Sequence, residues 1–131
     1  YYTPFDKEDP ELNRRTVYRF SPRGQRSAIL DAFDCPDPST TAPKRSVTTT
    51  PIQALALFNN AFVLRMADGF AERLKKESKS LNEQVQRAYE LAYARDPDEE
   101  EVKLGLEISQ NHGLNALCRV LFNSNEFVVI E

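Results

Sequence analysis

The densest grouping of side chains able to do chemistry in this 131-residue chain lies between positions 31 and 50. Asp31, Asp34 and Asp37, with the hydroxyls of Ser39, Thr40 and Thr41 close behind, supply the hard oxygen ligands that Ca²⁺ prefers. Their spacing matches no calcium loop. The same residues suit a purely local role, in which Asp34 and Asp37 form Asx turns and hydrogen-bond the backbone of their own loop. Arg23, Arg26, Lys44 and Arg45 form a second grouping. They can line a cleft for an anion or an acidic glycan, or they can pair with the aspartates of the same segment. The candidate binding loop therefore comprises Asp34, Asp37, Lys44, Arg45 and Thr48, on a backbone stiffened by proline.

Beyond that loop, the residue types argue against catalysis. Hydrolysis needs paired carboxylates, or a nucleophile and its base, facing a cleft. Asp31 and Asp34 can share a helical face at i, i+3, but so do many acid pairs at helix ends. His112 is the single histidine and stands beside Gly113 at an expected helix boundary, a place for a capping or exposed residue. Cys35 and Cys118 match no CxxC or zinc spacing, and no CxxCH haem motif occurs. With four glycines in the chain there is no glycine-rich phosphate cradle. No catalytic, cofactor-binding or metal-binding residue is assigned, and no cofactor is expected. A disulfide between the two cysteines is open on sequence grounds.

Charge narrows the partners. The net charge of −3 is unevenly spread, and residues 11–50 carry seven basic against four acidic side chains. That local excess is too small for the electrostatic footprint of a nucleic-acid binder. No apolar run approaches the roughly 20 residues that span a bilayer, so membrane insertion is not expected. The chain opens YYTPFD, without Met, and reads as part of a longer polypeptide.

Helix signals dominate from position 50 onward. Thr50, Pro51 and Gln53 form a capping box with proline at the first helical position. The Ile52, Leu55, Ala56, Leu57 run that follows is apolar on nearly all sides and predicts a short, central, buried helix. Asn59 and Asn60 interrupt it. Phe62, Val63, Met66, Phe70 and Leu74 then recur at helical spacing over about 17 residues. Ser80 and Glu83 make a second capping box ahead of Leu81, Val85, Ala88 and Leu91. Asp96, Pro97 and Glu99 repeat the start signal for a fourth helix through Val102, Leu106 and Ser109. Gly113 precedes a last stripe of Leu114, Leu117, Cys118, Leu121 and Phe122, followed by a short apolar tail. Cys118 falls on that stripe and reads as a small buried hydrophobe.

Residues 1–50 differ. They hold six of the thirteen aromatics and six of the eight prolines, which excludes continuous helix over most of their length. TVYRF predicts a short strand and SAILDAF a two-turn helix, in an ordered but irregular segment whose aromatics are pinned to the bundle. The expectation is a mainly all-α domain, a compact bundle of about five helices over 51–131 with an irregular Pro- and aromatic-rich segment over 1–50 packed on it.

RRTVYRF, SPRGQRSAILDAFDCPDPSTT, RSVTTTPIQALALFNNAFV, YELAYARDPDEEE and ALCRVLFNSNEF together resemble a domain of unknown function found at the C-terminal end of large planctomycete-type secreted proteins. Such proteins often also carry a cytochrome-c-like domain and a companion domain of unknown function. The resemblance implies an extracytoplasmic setting and neighbouring domains on a longer chain, and it supplies no catalytic residue. Two functions follow as expectations. One is a non-catalytic structural or interaction domain whose partners are those neighbouring domains, another protein or a glycan. The other is part of an enzyme acting on extracellular polysaccharide, with loop 31–50 contributing to a cleft.

Overall fold

Most helices of the chain begin where a side chain relieves the unpaired N–H groups of a first turn. The computed structural model describes residues 15–18, 28–37, 40–44, 48 and 50–128. A 3-10 turn at Thr16–Tyr18 is followed by helices α1 (Ala28–Ala32), α2 (Pro51–Asn59), α3 (Ala61–Glu77), α4 (Leu81–Tyr93), α5 (Glu99–His112), α6 (Leu114–Phe122) and α7 (Asn125–Val128). The architecture is all-α, with no strand among the described residues. By internal contacts the chain divides into two compact units, residues 1–56 and 57–131.

The second unit is the bundle. Asn60 caps α3 by accepting from Phe62 N at 2.9 Å, and Ser80 with Glu83 closes the reciprocal box of α4. The seventeen residues of α3 match the length its periodicity predicts. The start of α5 is displaced from expectation: Asp98 is the cap and Glu101 completes the box. Asp96 and Glu99 share the same spacing, but Glu101 also receives Arg95, so the later frame satisfies more donors. Gly113, at φ 91°, ends α5 and admits α6 after a single residue, a backbone state that L side chains rarely adopt.

Ala67, Ala71 and Leu74 of α3, Val85, Ala88 and Tyr89 of α4, and Leu114, Leu117, Cys118 and Leu121 of α6 form one buried cluster. Each large aliphatic side chain among them contributes about 1.5–3 kcal/mol by leaving water. α5 joins through absence of bulk: a Cβ on Gly105 would lie 2.7 Å from Val85 Cγ1 and 3.6 Å from Leu117 Cδ2. The Ser109 hydroxyl, buried one turn further along α5, has no hydrogen-bond partner among the described residues. Cys118 is the expected buried hydrophobe, its thiol pushed up to about 12 by burial. Cys35 is exposed, and both cysteines are free.

The burial of α2, the strand at TVYRF and the pinning of Tyr18 fail as expectations. No residue of α2 is buried; Ile52 is 68% and Leu55 61% exposed. The stripes of α3, α4 and α6 fill the bundle core among themselves, and an apolar nonamer does not say which neighbour will cover it. Thr16–Tyr18 is a 3-10 turn rather than a strand, with Tyr18 71% exposed instead of pinned. β-propensity reflects packing against a neighbouring strand, and none is present among the described residues. The apolar tail is helical over Asn125–Val128. Tyr1, Tyr2, Phe5 and Phe20 lie outside the described residues.

Candidate functional site

The loop that sequence chemistry singles out is built on the end of α1. Asp34 N donates to Asp31 O at 3.3 Å and Cys35 N to Leu30 O at 3.0 Å, the paired bonds of a Schellman motif. Asp34 occupies its left-handed position with φ 55°, which glycine usually fills and Asp tolerates better than most residues. This backbone state fixes the direction of the Asp34 carboxylate.

One carboxylate oxygen then collects the loop. Asp34 Oδ2 accepts from Thr48 N and Thr48 Oγ1, both at 2.7 Å, and from Gln53 Nε2 at 3.5 Å. Gln53 Nε2 also donates to Thr48 Oγ1 at 3.2 Å. The Gln53 carbonyl oxygen accepts from Thr50 N at 3.2 Å, while Thr50 Oγ1 accepts from Gln53 N at 3.4 Å. The capping box of α2 and the Asp34 knot are therefore one network. It joins the end of α1 to the start of α2 across residues distant in sequence.

Of the five loop candidates, Asp34 and Thr48 are brought together. Asp37 is half-buried, has interactions of its own, and receives Thr40 N on its backbone carbonyl at 3.2 Å. Lys44 is exposed. Arg45, Arg23, Arg26 and Ser39 lie outside the described residues. Among the described residues no group of three or more His, Cys, Asp or Glu could hold a metal ion, and Asp31, Asp34 and Asp37 do not converge as one. Asp34 Oδ2, which takes the loop's own amide, hydroxyl and carboxamide, is an acceptor already occupied. His112 is exposed at the last turn of α5.

Gln53 is the residue that sequence reasoning undervalued. Its capping role was legible, whereas its second hand on Asp34 requires the fold. Arg95 was missed altogether. It follows Ala94, the left-handed end of α4 with φ 56°, and its guanidinium forks onto two carboxylates. Nη1 and Nη2 donate to Glu101 at 2.8 and 2.7 Å, and Nε and Nη2 donate to Glu126 at 2.7 and 2.9 Å. The guanidinium also lies over the rings of Tyr93 and Tyr89, at 5.5 and 5.8 Å. Hydrogen bonding from Arg95 draws the Glu101 carboxyl down to about 2 and lowers Glu126 as well. Burial raises Tyr89 to about 12. The available signal was a lone Arg at a helix end between two acid-bearing segments.

A smaller charge network ties α3 to α4. Glu77 receives Arg73 at 2.6 Å and Arg87 at 3.0 Å, and the hydrogen bond from Arg73 is the first cause of its lowered pKa. No described helix is long and apolar enough to cross a membrane.

Residues 2–109 match the family PSD1, described as "Protein of unknown function (DUF1553)". The matched stretch takes in the Asp34 knot and ends before α6, so ALCRVLFNSNEF lies beyond it. No curated protein and no solved structure matches the chain.

Proposed function

The chain belongs to the PSD1 family of proteins of unknown function, and from that premise we propose that it is a non-catalytic helical domain serving a structural or interaction role in a larger extracytoplasmic protein. The observation that carries this reading is the Asp34 network. One oxygen of the carboxylate most suited to bind a ligand is taken by Thr48 and Gln53 of the same segment, and its role is to hold α2 to the end of α1. The planctomycete-type setting, with a cytochrome-c-like domain elsewhere on the polypeptide, is part of the proposal and rests on the resemblance of the motifs. The partners are then the neighbouring domains of that polypeptide, and the chain itself needs no cofactor.

The test separates binding from chemistry. The chain and the remaining domains of its natural polypeptide are expressed as separate proteins and titrated against each other by calorimetry. Saturable association supports the proposal, and its absence overturns it. In parallel the full-length protein is assayed on acidic and neutral polysaccharides. Hydrolysis that disappears in Asp34→Asn while helix content by circular dichroism is retained would replace the proposal with the enzymatic reading.

A further inference from the structure

We propose that α7 is a charge-pinned clasp that opens as a unit while the rest of the bundle stays folded. Helix α7 has four residues, none of them buried. Among the described residues its fastenings are few and identifiable. Arg95 grips Glu126 through two hydrogen bonds, and Tyr93 Oη donates to Ser124 Oγ at 2.8 Å just ahead of the helix. The Phe127 ring lies 5.0 Å from that of Phe122, which in turn stacks on Phe70 at 5.5 Å. Segments with little buried surface and exposed backbone hydrogen bonds open at low free energy, without global unfolding.

Arg95 ties this segment to two other helices. Its other face holds Glu101, whose side chain completes the α5 capping box by receiving Asp98 N at 2.9 Å. One guanidinium thus joins the end of α4, the start of α5 and α7. When Glu126 leaves, Arg95 keeps Glu101 and both tyrosine rings, so the bundle side of the clasp is undisturbed. The released segment uncovers the Phe122 face that Phe127 had covered. The pin lies in solvent, with Arg95 and Glu126 side chains 40% and 44% exposed, and added salt weakens it.

The measurement is amide hydrogen exchange by NMR on the chain and two variants. The reporters are Phe127 N–H and Val128 N–H, both bonded to Ser124 O, against Val85 and Leu117 in the core. In the parent chain the α7 amides exchange faster than the core amides. Glu126→Gln and Arg95→Gln each speed the α7 amides by up to about fivefold, the range an exposed charge pair supports, and the α7 amides stay faster than the core amides in both. About 0.5 M NaCl reproduces that acceleration in the parent chain and adds little to Glu126→Gln. The inference fails if α7 and core amides exchange at one common rate. It also fails if Glu126→Gln or salt leaves the α7 rate unmoved.

Discussion

Two glycines inside helices offer a single substitution with opposite outcomes. Replacing a helix-interior glycine by alanine removes backbone freedom from the unfolded chain and stabilises by about 0.5–1 kcal/mol. At Gly69 in α3 a Cβ meets nothing within 4 Å, so Gly69→Ala should collect that gain intact. At Gly105 the same atom would stand 2.7 Å from Val85 Cγ1. Val85 is fully buried, and a β-branched side chain in a helix has one strongly preferred rotamer, so it cannot swing aside. Overpacking of this kind costs about 1–3 kcal/mol. Because the propensity gain is common to both, the stability gap between the two variants reads the overpacking alone. It should be about 1–3 kcal/mol in urea unfolding, or roughly 4–12 °C in Tm for a chain of this size.

Val85→Ala supplies the control. It removes the clashing methyl, so Gly105→Ala placed on that background should recover about 1–2 kcal/mol relative to additivity. Gly105→Ala as stabilising as Gly69→Ala, or strictly additive with Val85→Ala, would refute the close approach of α5 to α4 on which the packing argument rests.

Leu117→Ala should cost about 2–5 kcal/mol in chemical denaturation because Leu117 is fully buried, whereas Leu55→Ala, at an exposed position of α2, should cost less than about 1 kcal/mol. Ser109→Ala deletes a buried hydroxyl without a partner and should leave stability unchanged or raise it by up to about 1 kcal/mol, as a thermal melt would register. The lowered carboxyls of Glu101 and Glu126 contribute stability that is fully present above the unfolded-chain value of about 4.3 and is lost as pH falls through the folded values, about 2 for Glu101. The Tm difference between the parent chain and Arg95→Gln should therefore be constant from pH 7 to about pH 5 and shrink toward zero by about pH 2.

Capping residues carried the sequence reading furthest, because a helix start is a local event. Thr50 with Gln53, Asn60, and Ser80 with Glu83 all act within three residues of themselves, and each stands where its spacing predicts. The stripe of α6 was equally legible, since Leu114, Leu117, Cys118 and Leu121 are all buried. What the sequence withheld was who meets whom. The apolar α2 gave no sign that none of its residues would be fully buried, and Arg95 gave no sign of a carboxylate 31 residues away. The shifted start of α5 shows the same limit on a small scale. Asp96 and Asp98 offer rival frames of equal local merit, and a side chain from the preceding turn decides between them.

Asp34 shows why a list of reactive residue types is a weak guide to a site. Its carboxylate, its neighbours Asp31 and Asp37, and the threonines beyond suggest a ligand by composition. The left-handed backbone at Asp34 gives a different account, since that conformation is demanded by the end of α1 and not by anything bound. Asn tolerates the same conformation and Gly accepts it freely, which turns the account into a discriminating experiment. If Asp34 serves the loop, Asp34→Asn keeps the backbone and an acceptor oxygen for Thr48 and loses only the charge-assisted part of the bonds, about 1 kcal/mol. Asp34→Gly relieves the backbone but frees α2 from α1, and should cost more despite its ideal conformation. The order Asn above Gly in urea midpoint is the expected result. Asp34→Gly at or above the parent chain would mean that the bonds to Thr48 and Gln53 hold nothing together and that the carboxylate is kept for something else.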